Sequence, residues 1–243
     1  MVPEGLENFT LKDEHRNFLH RCALSGEIID SRPYCSLTAE SRVYLSSRWG
    51  FSDAALFGEG IFIPRYSPDG TLTYPQIRYN TPQQLGGKER KYNAPRNSGG
   101  VVDVHPAATE RLLRETSEPL IFVESIKGAD ALLSSGILAA GFHGVWGWRV
   151  DSGPSREFRD IPLDGRDVAI CFDVDARRNP NSRRAISEFG GFLTYEGARV
   201  YVVEIPESVG PKAGIDDYLS WSWSRCGGGR IRPLENVLRE EAR

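Results

Sequence analysis

Short apolar runs alternate with helical patterns through the second half of the chain. The apolar runs, which are the predicted strands, lie at 120–123, 137–140, 168–172 and 200–205. Between them, the apolar spacing of 128–135 and 182–195 is that of amphipathic helices. Strands that alternate with helices in this way predict an α/β fold, with a mostly parallel sheet flanked by helices.

The first half of the chain has a different pattern and predicts a smaller N-terminal α+β subdomain. Residues 11–24 have helical spacing, and a shorter helix is expected around Glu27–Ser31. Strands at 61–64 and 72–79 flank Pro68-Asp69-Gly70, which has typical turn chemistry. The segment 86–100 is rich in Gly, Lys, Arg and Asn, and we expect a mobile loop there.

The composition of the chain limits where the protein can be located and which classes of protein it can belong to. The chain has 243 residues, 40% of them hydrophobic, with no apolar stretch near the roughly 20 residues that span a bilayer. Met1–Gly5 does not begin a signal peptide, so we expect a cytoplasmic protein with no membrane partner. A zinc site is conceivable, but its ligands would have a spacing that fits no usual pattern. Those ligands would be His15, His20, Cys22 and Cys35.

Charge is unevenly distributed along the chain. The formal net charge is −3, yet residues 61–100 hold six Lys or Arg against two acids. A local excess of cations attracts polyanions more effectively than the total charge suggests. For any single cation a solvated surface position remains the simpler interpretation. The candidate phosphate contacts are Arg65, Arg78, Lys88, Arg90, Lys91 and Arg96.

Three carboxylates come directly after two of the predicted buried strands. Glu124 ends the first strand, and Asp173 and Asp175 end the third. Carboxyl ends of parallel strands meet at one edge of a sheet, where ligands bind in such folds. Buried carboxylates are costly without a positive partner, and Mg²⁺ prefers oxygen ligands. A shared metal site is therefore expected, although each acid alone can also begin a loop or cap a helix.

Two segments resemble the motifs of Toprim domains. Residues 120–132 combine an apolar strand, Glu124, a small residue and a helix with an Asp-Ala pair, and 172–175 resemble the DxD motif. Toprim domains occur in bacterial-type primases, topoisomerases of types IA and II, small ribonucleases and nucleases of the overcoming-lysogenisation-defect type. The resemblance covers about residues 119–220.

A particular variant is similar to this chain. Residues 123–130, 172–175 with Asn179-Pro180, and 212–219 resemble a Toprim-like domain-of-unknown-function family found in primase or primase–helicase proteins of phages, plasmids and integrated elements. Ser125 stands where that family usually has glycine. Both residues are small, so a close backbone approach remains feasible.

The resemblance implies roles for individual residues. Glu124, Asp173 and Asp175 would hold one or two Mg²⁺ or Mn²⁺ ions. Asp216 and Asp217 would add a ligand or, alternatively, cap a helix that begins near Tyr218. Lys127 would contact a nucleoside triphosphate or lie on the helix surface.

These expectations combine into a domain plan and a function. We expect a helical lead-in at 1–58, a basic template-gripping subdomain at 59–118 and a Toprim-like catalytic domain at 119–243. The implied activity is that of a DNA primase-like nucleotidyltransferase in phage or mobile-element replication, using single-stranded DNA, nucleoside triphosphates and a replicative helicase partner. A metal-dependent nuclease and a non-catalytic nucleic-acid-binding module are the alternatives. A topoisomerase is disfavoured because 243 residues leave little room for a strand-passage gate.

Overall fold

Two four-stranded sheets form the framework of the protein. The computed structural model describes residues 9–52, 56–95, 98, 100–151 and 153–225. Its strands are β1 Cys35–Ser36, β2 Gly60–Ile63, β3 Gln76–Leu85, β4 Lys88–Asn93, β5 Leu120–Val123, β6 Ala139–Gly141, β7 Arg149–Val150, β8 Gly153–Pro154, β9 Asp167–Cys171 and β10 Arg199–Val202. Its α-helices are α1 Asp13–Arg21, α2 Gly26–Ser31, α3 Ala39–Trp49, α4 Thr109–Arg114, α5 Ile126–Ser134, α6 Pro180–Tyr195 and α7 Ile215–Arg225.

The second sheet confirms the predicted α/β architecture. Its strands lie in the order β10–β9–β5–β6, and all three pairings are parallel. Val123 of β5 pairs with Cys171 of β9 on one side and with Gly141 of β6 on the other. All four strands therefore end at the same edge of the sheet.

Helices cover both faces of this parallel sheet. The side chains of β5 alternate between two cores, as the pleat of a strand requires. Leu120 and Phe122 join a core that includes Phe189 of α6, whereas Ile121 and Val123 join a core that includes Leu219 of α7. Burial on both faces explains why the strands of a parallel sheet are almost wholly apolar.

The first sheet is antiparallel, in the order β1–β2–β3–β4. The prediction of a mobile loop over 86–100 is wrong for its first half, because β4 pairs with β3 as far as Leu85↔Lys88. Gly86 and Gly87 have φ values of 59° and 74°, the left-handed conformation that a two-residue hairpin turn requires. The polar composition of β4 concealed a strand whose side chains are largely exposed.

The N-terminal helices pack against the parallel sheet. α1 and α2 confirm the two predicted helices, and Leu19 and Leu24 lie in the same core as Ile121. α3 was not predicted, although Thr38 and Ser41 form a reciprocal capping box at its start. The domain boundaries at 58 and 118 stay a prediction.

A buried ion network joins the two sheets. Arg32 follows α2 and donates to Pro64 O, which follows β2, at 2.7 Å. It also pairs with Asp103 and with Asp130 of α5, both at 2.8 Å, and all three side chains are fully buried. Tyr34 donates to Asp130 Oδ2, the oxygen that also pairs with Arg32 Nε. Within the described part of the chain, no helix is long and apolar enough to cross a membrane.

Candidate metal site

Glu124 and Asp173 lie side by side at the carboxyl edge of the parallel sheet. Each follows its strand directly, and the Val123↔Cys171 register brings the two strand ends together. The backbone N–H of Asp173 donates to Glu124 Oε1 at 2.9 Å. The position of this pair thus follows from the strand register.

The two carboxyl groups disfavour each other's charge. Burial raises the pKa of Asp173, and the neighbouring Glu124 raises it further. Burial likewise raises the pKa of Glu124, and the negative charge of Asp175 acts in the same direction. Both shifts show that two negative charges at this place are unfavourable when no cation is present. A divalent cation would favour the charged form of both carboxyl groups.

Asp175 lies in the short 3₁₀ turn Val174–Arg177 that follows Asp173. Its side chain is half-buried, and its charge acts on both Glu124 and Asp173. The backbone N–H of Asn179 donates to Asp175 O at 3.0 Å, which leads the chain into α6. The predicted DxD pair therefore lies at the sheet edge beside Glu124.

Asp216 and Asp217 have different environments at the start of α7. Asp217 Oδ2 accepts the backbone N–H of Gly214 at 3.0 Å, the contact that an acid at the third helical position makes in a capping box. Asp216 is 3% exposed and accepts a hydrogen bond from Lys127 Nζ. Lys127 lies in α5, is 9% exposed and is engaged by this ion pair rather than lying on the helix surface.

Gly214 allows Asp216 to lie close to Asp173, a role of this glycine that the sequence analysis did not predict. A Cβ at this position would lie 2.9 Å from Asp173 Oδ1 and 3.2 Å from Asp216 Oδ1. A methyl group at this position would require the carboxylates of Asp173 and Asp216 to shift, so glycine lets both lie close to this turn. The sequence feature that could have indicated this close approach is the glycine directly before Ile215-Asp216-Asp217.

The structure explains why serine can stand at position 125 in place of glycine. Its hydroxyl caps α5 by accepting the backbone N–H of Gly128 at 3.0 Å. A Cβ on Gly128 would lie 2.9 Å from Ile215 Cγ2, so Gly128 allows α5 and α7 to pack closely. Ser125 and Gly128 together orient the helix that carries Lys127.

The donor set suits a hard divalent cation. Glu124, Asp173 and Asp175 supply only oxygen donors, as Mg²⁺ and Mn²⁺ prefer. The residues that the structure describes contain no ready-made group of three or more His, Cys, Asp or Glu side chains that could hold a metal ion. The observation that fits a cation is therefore the adjacent Glu124–Asp173 pair, whose carboxyl groups disfavour each other's charge.

The predicted phosphate contacts occupy several environments. Arg65 is 1% exposed and donates to Val101 O at 2.9 Å, so a phosphate contact would require it to leave the interior. Arg78 is half-buried, with its guanidinium 3.9 Å from the centre of the Phe18 ring. Arg90 and Lys91 are exposed on β4. Lys88 begins β4, and Arg96 lies outside the described residues.

The comparisons with known proteins agree with this architecture. A family model described as a domain of unknown function, DUF3854, matches residues 110–222. A search of curated proteins finds no match. The fold itself is that of DnaG-type primase catalytic cores, to which several solved structures are similar over most of this chain.

Three of these structures illustrate the likeness. The Aquifex aeolicus primase zinc-binding and RNA polymerase domains give a TM-score of 0.58 at 16% identity, over 94% of this chain and 60% of that one. A DnaG primase catalytic domain bound to single-stranded DNA gives 0.58 at 14%, over 98% and 76%. The RNA polymerase domain of Mycobacterium tuberculosis DnaG gives 0.54 at 13%, over 98% and 82%. At these identities the likeness establishes the fold alone.

Proposed function

We propose that this chain is a primase-like nucleotidyltransferase that joins nucleotides on a single-stranded DNA template with Mg²⁺ or Mn²⁺. The observation that carries the proposal is the half-buried Glu124–Asp173 pair at the carboxyl edge of the sheet. The fold shared with primase catalytic cores supports it. The phage or mobile-element setting and the helicase partner are supported by the motif resemblance.

The chemistry assigned to the site requires little covalent work from the protein. In phosphoryl transfer the main requirements are positioning and charge neutralisation. Glu124, Asp173 and Asp175 would hold the cation, which when bound would polarise a phosphoryl oxygen and lower the barrier to attack. The register of β5 and β9 positions two of these side chains before any ligand arrives, so little reorganisation is needed.

The template would reach this site along the antiparallel sheet. Arg90 lies on the same face of β4 as Tyr92, because alternate residues of a strand share a face. Tyr92 packs against the core that includes Val123 and Cys171, so this face is directed towards the parallel sheet. Cations on this path would contact phosphates without reading the sequence. One of the similar structures is described as bound to single-stranded DNA.

Primer synthesis is the direct test. The full chain is incubated with single-stranded DNA, labelled nucleoside triphosphates and Mg²⁺ or Mn²⁺, and the products are separated by length. We expect extended products from the wild type and none from Asp173→Asn. Asp160→Asn is the control, because Asp160 is exposed and lies outside the site.

Each alternative function gives a different product pattern. Shortened template without incorporation would identify a nuclease that uses the same carboxylates and water as the attacking group. Metal and DNA binding without either product would identify a non-catalytic module. Incorporation that persists in Asp173→Asn would remove Asp173 from the chemistry.

A further inference from the structure

Lys127 and Asp216 form an ion pair inside the protein next to the Glu124–Asp173 pair. Lys127 comes from α5 and Asp216 from the first turn of α7, and Lys127 Nζ donates to Asp216 Oδ2. Both are almost fully buried. Although burial by itself lowers the pKa of Lys127, Asp216 raises it above its ordinary value. The ammonium therefore stays charged.

The other titratable side chains beside Lys127 carry no negative charge that could pair with its ammonium group. Cys22 and Tyr92 lie beside it, and burial raises the pKa of both side chains. The thiol and the phenol are therefore neutral at pH 7. Asp216 is the carboxylate with which Lys127 makes a salt bridge within the described residues. Removing either partner would leave a buried charge uncompensated.

This ion pair involves a carboxylate that otherwise faces the candidate metal site. Asp173 Oδ1 and Asp216 Oδ1 both lie within 3.2 Å of the position of a Cβ on Gly214. The charge of Asp216 also acts on Asp173. In a two-metal site the ions lie about 3.5–4 Å apart and share carboxylates between them. Here the ammonium already neutralises the carboxylate that a second ion would need.

We propose that the site takes one divalent cation, on Glu124, Asp173 and Asp175, and that Lys127 supplies through Asp216 the positive charge that a second ion would otherwise bring. The inference rests on the proposed function and specifies its metal requirement. Lys127 is thus a positioning residue: it holds Asp216 and adds fixed charge beside the place where phosphate would bind. This role differs from direct contact with a triphosphate.

Counting bound ions tests the proposal without measuring catalysis. Mn²⁺ is titrated into the full chain, with heat and the electron paramagnetic resonance signal of free Mn²⁺ as readouts. We expect one ion for the wild type. Lys127→Met frees Asp216 and should bind two ions. Lys127→Met combined with Asp216→Asn should return to one. Lys212→Met is the matched control, since it removes an exposed lysine four residues before Asp216, and should bind one.

The outcomes separate this inference from the proposed function. Two ions in the wild type, or one in Lys127→Met, would overturn the role of Lys127. Two ions in the double variant would show that the added ion does not use Asp216, which overturns the assignment equally. No ion in the wild type would defeat the proposed metal-dependent function itself, together with this inference. If Lys127→Met does not fold, the wild type and the double variant, which has no unpaired buried charge, still decide: two ions in either would overturn the inference.

Discussion

The two sheets offer different places for function. In the parallel sheet, β5 is buried on both faces, so its polar chemistry lies beyond the strand end, at Glu124. In the antiparallel sheet, β3 and β4 have exposed polar residues, so the candidate contacts Arg90 and Lys91 lie along the strand itself. A buried sheet thus concentrates charged residues at its edge, whereas a half-exposed sheet distributes them over a face.

The charges in the two regions are also balanced differently. Several acids lie at the edge of the parallel sheet, and Lys127 offsets only the charge of Asp216 among them. The exposed surface of β4 carries cations that water can solvate. A metal ion is therefore expected to have a large effect on the first region, and salt a large effect on the second.

The largest expected effect comes from the junction between the two sheets. Arg32→Met leaves Asp103 and Asp130 buried without their cation, which should cost about 3–5 kcal/mol of unfolding free energy. Urea denaturation followed by circular dichroism measures this loss. As a control, Arg16→Met removes an exposed pair with Asp30 and should cost less than about 1 kcal/mol. Equal losses in the two variants would show that the network does not join the regions energetically.

The second-largest effect is the stability that a bound metal ion should add at the carboxylates of the parallel sheet edge. At a free Mn²⁺ concentration 100 times the dissociation constant, the wild type should gain about 2.7 kcal/mol of stability. Asp173→Asn should lose most of this gain and, because it removes a repelling carboxyl, should be at least as stable as the wild type without metal. Thermal unfolding with and without Mn²⁺ measures both. Asp160→Asn should keep the full gain, and an undiminished gain in Asp173→Asn would place the ion elsewhere.

The parallel sheet could be predicted from the sequence largely because its signals are local. Apolar runs define the strands, and parallel topology alone makes their ends meet, so the proximity of Glu124 to Asp173 follows. The contact between Lys127 and Asp216 depends on how α5 and α7 pack at Gly128, and no local pattern encodes it. Arg65 was expected at the surface, because a sequence pattern does not show which basic side chains are buried and donate hydrogen bonds to backbone carbonyl oxygens. The polar composition of residues 86–100 favoured the prediction of a loop, so the hairpin turn at Gly86-Gly87 was not recognised.

A smaller effect concerns the segment that connects the sheets. Burial lowers the pKa of His105 to about 3, and its imidazole accepts the Ala107 N–H and contacts Ile28 O at 3.1 Å each. Since the folded pKa lies below the unfolded value, this contribution is present above pH 6.5 and is lost as the pH falls towards 3. His105→Asn keeps an acceptor for Ala107 but does not titrate. The stability advantage of the wild type over this variant should therefore shrink by about 1.4 kcal/mol between pH 7.5 and 5.5.

Urea denaturation at several pH values measures that difference. Other buried histidines, such as His15, titrate in both proteins, so their contributions cancel in the comparison. A difference that is constant over this pH range would mean that His105 titrates alike in the folded and unfolded states.

The smallest effect separates the two faces of β4. Arg90 shares its face with Tyr92, which packs towards the parallel sheet, whereas Lys91 lies on the other face. If single-stranded DNA passes between the sheets, Arg90→Ala should weaken binding and reduce the salt slope by about 0.7, the value for one phosphate contact on a single strand. Lys91→Ala removes a neighbouring exposed cation and should leave the slope unchanged, so it is the matched control. Fluorescence anisotropy at several salt concentrations measures both slopes. An equal reduction in the two variants would indicate that β4 attracts DNA as a diffuse positive surface, because a bound strand in one groove cannot contact both faces of the same β-strand.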